Sequence, residues 1–69
     1  MKQMLETLAA EMLEQEVRLE DALEEFEKQF IQTALARNSG NQCKAAKLLH
    51  MHRNTLGRKI AQYKIKRNR

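Results

Sequence analysis

The sequence predicts an all-α protein of four short helices, and two observations carry that reading. In 69 residues there is no proline and there are only two glycines, while 32% of the residues are charged; strand-and-turn proteins are not built this way. Apolar residues also recur at three- and four-residue spacing along most of the chain, the period of a helix with one buried face.

The first helix is expected over residues 1 to about 14, where Met4, Leu5, Leu8, Ala9, Met12 and Leu13 form a broad apolar stripe. The stripe breaks at Gln15-Glu16-Val17-Arg18. A second helix is expected from about Leu19, because Glu20 and Asp21 then fall in the first turn and oppose the positive end of the helix dipole, although Arg18 makes a poor cap. Leu19, Ala22, Leu23, Phe26, Phe30, Ile31, Ala34 and Leu35 keep helical spacing to about Arg37. The segment Asn38-Ser39-Gly40 stops it, with Gly40 suited to the left-handed position after a helix. Asn41 is placed to cap a third helix over residues 42 to about 49. After a break at His50-Met51, the last helix runs from His52 or Arg53 to Tyr63, with Leu56 and Ile60 inward.

A chain this short buries too little surface to be comfortably stable alone. A disulfide, a metal or a partner subunit is the usual remedy, and a lone Cys43 makes no internal disulfide. A homodimer is therefore expected, with the stripe of the first helix buried partly within its own subunit and partly in the second. No run of about 18 apolar residues is present to span a bilayer, and the first residues lack the pattern of a secretory signal. The expected location is the cytoplasm, with no membrane partner.

Charge is sharply segregated. Residues 1–30 carry all nine acids and a net −6, whereas residues 31–69 carry ten Lys or Arg, no acid, and a net +10. A solvated helical surface mixes both signs, so 39 residues without a carboxylate imply a polyanionic partner, nucleic acid above all. The chain is accordingly divided into a helical dimerisation region, 1–37, and a DNA-binding region, 38–69, within one domain.

A short helix, a tight turn and a second helix can cross steeply and present the second helix to the DNA major groove. Ala45 and Ala46 supply the small residues that the crossing needs, and Leu48, Leu49, Met51, Leu56 and Ile60 the shared core. His52, Arg53, Asn54, Thr55, Arg58, Lys59 and Gln62 remain exposed on the last helix. These are donors and cations of the kind that read bases and hold phosphates. Arg53, near the helix start, is the first choice for bidentate readout of guanine; Asn54 joins it at the bases, and His52 faces a phosphate. Arg58 lies about 140° round the helix from Arg53, so the two reach DNA from opposite flanks of the exposed surface.

The stretch Gly40-Asn41-Gln42-Cys43-Lys44-Ala45-Ala46-Lys47-Leu48-Leu49, followed by Met51-His52-Arg53-Asn54-Thr55-Leu56-Gly57-Arg58-Lys59-Ile60, resembles the DNA-binding element of the Fis family. A similar element closes many sigma-factor-dependent activators of the nitrogen-regulator type. The resemblance covers residues 22–65 and is strongest over 40–60, where the G-N-Q-x-x-A-A and R-N-T-L-x-R-K patterns are specific. It implies four helices per subunit, the first two pairing as an intertwined homodimer core; the apolar stripes of these helices put Leu5, Leu8, Met12, Leu23, Phe26 and Phe30 at the expected interface. It also implies phosphate contacts from Asn41, Gln42 and Lys44, base contacts from Arg53 and Arg58, and phosphate contacts from Thr55 and Lys59. The implied function is a transcription regulator or a nucleoid-associated DNA-bending protein.

This sequence departs from the family pattern in several places. His50 stands where the turn usually has Gly, at some cost in a left-handed backbone. Cys43 replaces a hydroxyl residue and is a weaker donor to phosphate. Gly57 replaces a basic residue, removing a phosphate contact and about 1 kcal/mol of helix propensity relative to Ala. The chain also begins almost at the first helix, without room for the N-terminal arm that the type member uses on a recombinase, so a recombination-enhancer role is not expected.

Other readings are weaker. Cys43, His50 and His52, spaced C-x6-H-x-H, match no usual zinc pattern and leave a fourth ligand unnamed, so no metal or cofactor is expected. The acids lie at helical-face spacing and suggest no general acid, so neither an enzyme nor a small-molecule substrate is expected. Phe26 and Phe30, four apart, suggest core packing rather than a ligand site. The basic tail from Lys64 to Arg69 either folds onto the DNA backbone or stays disordered. The rival function is a helical interaction module whose basic half binds RNA or acidic proteins, which would not need R-N-T-L-x-R-K on one exposed face.

Overall fold

The computed structural model describes residues 1–66, and over them the chain forms four helices: α1 Lys2–Glu14, α2 Leu19–Arg37, α3 Gln42–Leu48 and α4 Arg53–Tyr63. The all-α architecture is as the sequence predicts. Helix α3 closes one residue early, with Leu49 as its C-cap. Part of the basic tail, residues 67–69, lies outside the described residues.

All four helices stop in the same way. One residue adopts a left-handed backbone, at Glu16, Ser39, His50 and Lys64, with φ between 53° and 59°. The N–H of the next residue then reaches back five positions, Val17 to Met12, Gly40 to Leu35, Met51 to Ala46 and Ile65 to Ile60, at 2.8–3.0 Å. This Schellman arrangement satisfies carbonyls that the helix end orphans. The left-handed position expected of Gly40 is thus shared: Ser39 takes the first such residue and Gly40, at φ 79°, the second. His50 occupies the left-handed turn that its place in the sequence demands.

The starts differ. Asn41 caps α3 as expected, its Oδ1 accepting from the Lys44 N–H at 3.0 Å. Arg18 sits at the start of α2 without a side-chain cap; its guanidinium instead pairs with Asp21 across one exposed turn. At the start of α4, the His52 imidazole accepts from the Asn54 N–H.

The core joins the end of α2 to the two short helices. Ile31, Ala34 and Leu35 of α2 meet Ala45 and Ala46 of α3, Leu56 and Ile60 of α4, and Ile65 beyond it, with Leu49, Met51 and Tyr63 packed at its edge. This cluster crosses the boundary expected at residue 37. Two expectations are corrected here. Leu48, assigned to the shared core, is exposed, because α3 turns Ala45, Ala46 and Leu49 inward and Leu48 falls on the adjoining face. Phe26 and Phe30 touch each other, ring centroids 5.6 Å apart, but are 46% and 54% exposed, so they are not core within this chain.

Helix α1 has no buried residue at all. Met12 and Val17 are half-buried, and the remaining apolar side chains of α1 stand in solvent. Between α1 and α2 lies an open apolar groove lined by Leu5, Leu8, Met12, Leu19, Leu23 and Phe26.

Candidate nucleic-acid interface

The α3–turn–α4 unit is built by small residues and a tight stop. Ala45 and Ala46 are completely or almost completely buried, which lets α4 come close to α3. The left-handed His50 then reverses the chain within the four residues between Leu48 and Arg53. Leu56, with no exposed surface, and Ile60 hold the inner face of α4. Its other faces are consequently turned outward.

At 100° per residue, Asn54, Arg58 and Ala61 lie opposite Leu56 and Ile60, and all three are exposed. Arg53 is also exposed at the first turn; its Nη1 donates to the Cys43 thiol sulfur at 3.8 Å, a weak contact. Thr55 is half-buried, and its hydroxyl lies 3.5 Å from the Arg58 guanidinium. Asn41, Lys44 and His52 are exposed at the starts of α3 and α4. The structure therefore brings Asn41, Lys44, His52, Arg53, Asn54 and Arg58 onto solvent-facing surface of one helix pair.

Gln42 and Lys59 are placed differently from these six. The Gln42 carboxamide nitrogen donates to the Arg53 carbonyl at 3.1 Å, tying the start of α3 to the first turn of α4. It passes directly over Gly57, where an added Cβ would lie 2.8 Å from that nitrogen. Glycine inside the recognition helix thus leaves the space that this tie occupies. Lys59 turns from the outward face toward α2, and its ammonium donates to both carboxylate oxygens of Glu27 at 3.0 and 3.1 Å. The Tyr63 hydroxyl donates to the same carboxylate. These hydrogen bonds, from Tyr63 and then Lys59, hold the Glu27 carboxyl below its ordinary range. The reverse effect pushes the Tyr63 phenol up to about 12.

Sequence reading did not find Glu27 or Tyr63. One signal was present: Glu27 lies four residues before Ile31, so it falls beside the buried face of α2 rather than on the solvated side. A carboxylate there requires a partner. The partner, 32 residues on, follows no local spacing.

Among the described residues no cluster of His, Cys, Asp and Glu is placed to hold a metal ion, and no helix is long and apolar enough to cross a membrane. A short helix packed on a second through a four-residue turn, with cations and amides on the outer face, defines a DNA-binding helix-turn-helix regulator. The family model of the Fis family of bacterial regulatory proteins matches residues 22–63, from the second turn of α2 to the last residue of α4. The chain belongs to that family. No curated protein and no solved structure matches it.

Proposed function

We propose that the chain acts as a homodimer that reads two half-sites of duplex DNA and bends it, as a transcription regulator or nucleoid-associated protein of the cytoplasm. The observation that carries the dimer is α1, 13 residues long without one buried side chain. Isolated helices of that length are marginal in water and are held by tertiary packing. Of the six expected interface residues, Leu5, Leu8, Leu23, Phe26 and Phe30 are exposed and Met12 is half-buried, so the stripe is available to a second copy. Residues 1–37 pair the subunits and residues 38–69 meet DNA, while the core shared by α2, α3 and α4 joins the two tasks in one domain.

Arg53, Asn54 and Arg58 take the base edges, supported by their exposure on α4 and by the fork of the guanidinium, which fits guanine. Asn41, Gln42, Lys44, His52 and Thr55 take phosphates. Lys59 reaches a phosphate with the one ammonium hydrogen that Glu27 does not engage. The test is selection of preferred sites from random duplexes. A two-fold-symmetric consensus is expected, and Arg53→Ala should abolish it while retaining binding to random DNA; a single asymmetric half-site would refute the dimer.

A further inference from the structure

Helix α4 is pinned at two places. At its start, Gln42 of α3 holds the Arg53 carbonyl. Toward its end, the Glu27 carboxylate of α2 holds Lys59 and Tyr63, which are four residues apart and so project from one face on successive turns. A rod fixed at both ends has a set direction, whereas a rod fixed at one end swings. From Lys59 to Arg53 is about 9 Å along the helix, so a small change of angle at the α2 end moves the Arg53 guanidinium by a distance that matters to a bidentate hydrogen bond. The remaining hold on that half of α4 is apolar, from Ile60 and Ile65 in the core, and apolar contact is non-directional. The Glu27 carboxylate supplies the directional part.

We infer that Glu27 is a positioning residue for base readout: by clamping Lys59 and Tyr63 it sets the angle of α4 on α2, and thereby the discrimination between specific and random DNA. This rests on the reading that α4 delivers base contacts. It gives Lys59 a task beyond neutralising a phosphate, and it gives Tyr63 a task without any contact to DNA. A cation needed only for phosphate is better left unpaired. Here it is held by a carboxylate, and both partners are only partly exposed, with side-chain exposures of 30% for Lys59 and 38% for Glu27.

The test measures affinity for the site selected by the unaltered protein and for a random duplex of equal length, at several salt concentrations, with folding followed by circular dichroism. Glu27→Ala should lower the ratio of specific to random affinity about tenfold, the scale of one lost bidentate base contact, with random binding kept or strengthened. Tyr63→Phe should lose part of that ratio. The charge swap Glu27→Lys with Lys59→Glu rebuilds the pair in reverse and should recover the ratio, although it moves a cation off α4. Glu27→Gln, which keeps the shape, serves if the alanine variant folds poorly, and should show an intermediate loss. The inference is overturned if Glu27→Ala tightens both duplexes equally with a steeper salt dependence, since Glu27 would then merely mask a phosphate cation. It is also overturned if both duplexes weaken equally, the mark of a general loss of folded protein. Arg53→Ala run alongside separates the two readings: if it retains the ratio, the base role of Arg53 fails, while the Glu27 result still decides the clamp.

Discussion

At the scale of single residues, the helix ends show most clearly where this chain departs from the most stable choice. An L-residue in the left-handed region is disfavoured relative to glycine by crowding at Cβ, and Glu16, Ser39, His50 and Lys64 all accept that penalty. His50 is the informative one, because it lies in the turn of the helix-turn-helix, is exposed, and makes no side-chain hydrogen bond to the described residues. His50→Gly should therefore stabilise the fold by about 1 kcal/mol, and raise the melting temperature by about 4–8 °C for a domain of this size. A melt of the two proteins at equal concentration checks it, and an unchanged or lower midpoint would mean that the imidazole does work in the folded state that the turn geometry does not reveal. Cap and turn residues were legible in the sequence because their task is local: Asn41 meets a donor three residues on, and His50 satisfies a backbone angle. Gln42 and Glu27 were not, since each bonds across a tertiary gap, to Arg53 and to Lys59 and Tyr63. Gly57 was visible only as a departure from the family pattern, and the Gln42 side chain passing above it supplies the reason.

At the scale of helices, periodicity gave the boundaries of α1, α2 and α4 almost to the residue, because each carries several turns of apolar spacing. It could not say which apolar face meets its own chain and which meets another. Leu48 fell on the wrong side of that division, and the Phe26–Phe30 pair, expected both as core packing and at the subunit interface, is not core within its own chain. The three stand along one groove between α2 and α3, continuous through Phe26 with the groove under α1. If this stripe pairs two subunits, replacing Phe30 by Glu places a charge in an apolar interface, where burial of an unpaired ion is prohibitive. Phe30→Glu should give a monomer in sedimentation and remove the concentration dependence of the melting temperature that a dimer shows; a variant that stays dimeric would put the interface elsewhere. The tie between α2 and α4 carries its own signature. Because the folded-state Glu27 carboxyl titrates below its ordinary value, its contribution is fully present above the usual carboxylate range and is lost as pH falls through the lowered value. Tyr63, raised from 10.0 to about 12, adds stability that is present below pH 10 and fades toward 12. The stability difference between the unaltered protein and Glu27→Gln should thus be flat through neutral pH and shrink at the acid end. A difference that stays constant down to the lowest pH at which both fold would show that the pair is not what the charge supplies.

At the scale of the whole molecule, the proposed dimer carries a consequence for the shape of its DNA. Helices packed through their side chains have axes about 8–10 Å apart. Helix α4 is tied to α2 by the Glu27 clamp and shares with it the core that holds Ile31 and Ile60, and the exposed Phe26 and Phe30 stripe that would pair two subunits is on the same stretch of α2. If the proposed dimer pairs through that stripe and the clamp sets α4 at packing distance from α2, going from one recognition helix to the other takes three steps, α4 to α2, α2 to its copy, and that copy to its own α4. Laid end to end these reach only about 24–30 Å. Successive major grooves on one side of straight B-DNA are about 34 Å apart. For the proposed dimer, straight DNA would then be too long for both helices to seat fully, and bending toward the protein would close the gap at an elastic cost of about 1–6 kcal/mol for a site of 20–30 base pairs. That cost would be offset by the second set of base contacts and by flanking phosphates drawn toward the basic residues Lys64 and Lys66. A circular-permutation mobility assay on the selected site should show a bend centred between the half-sites. The bend should be largest where the central base pairs are flexible pyrimidine–purine steps, and affinity should fall when a stiff A-tract replaces them. A complex that migrates as straight DNA at every permutation would mean that the recognition helices stand farther apart than three packed steps allow, and that α1 lies between the two copies of α2.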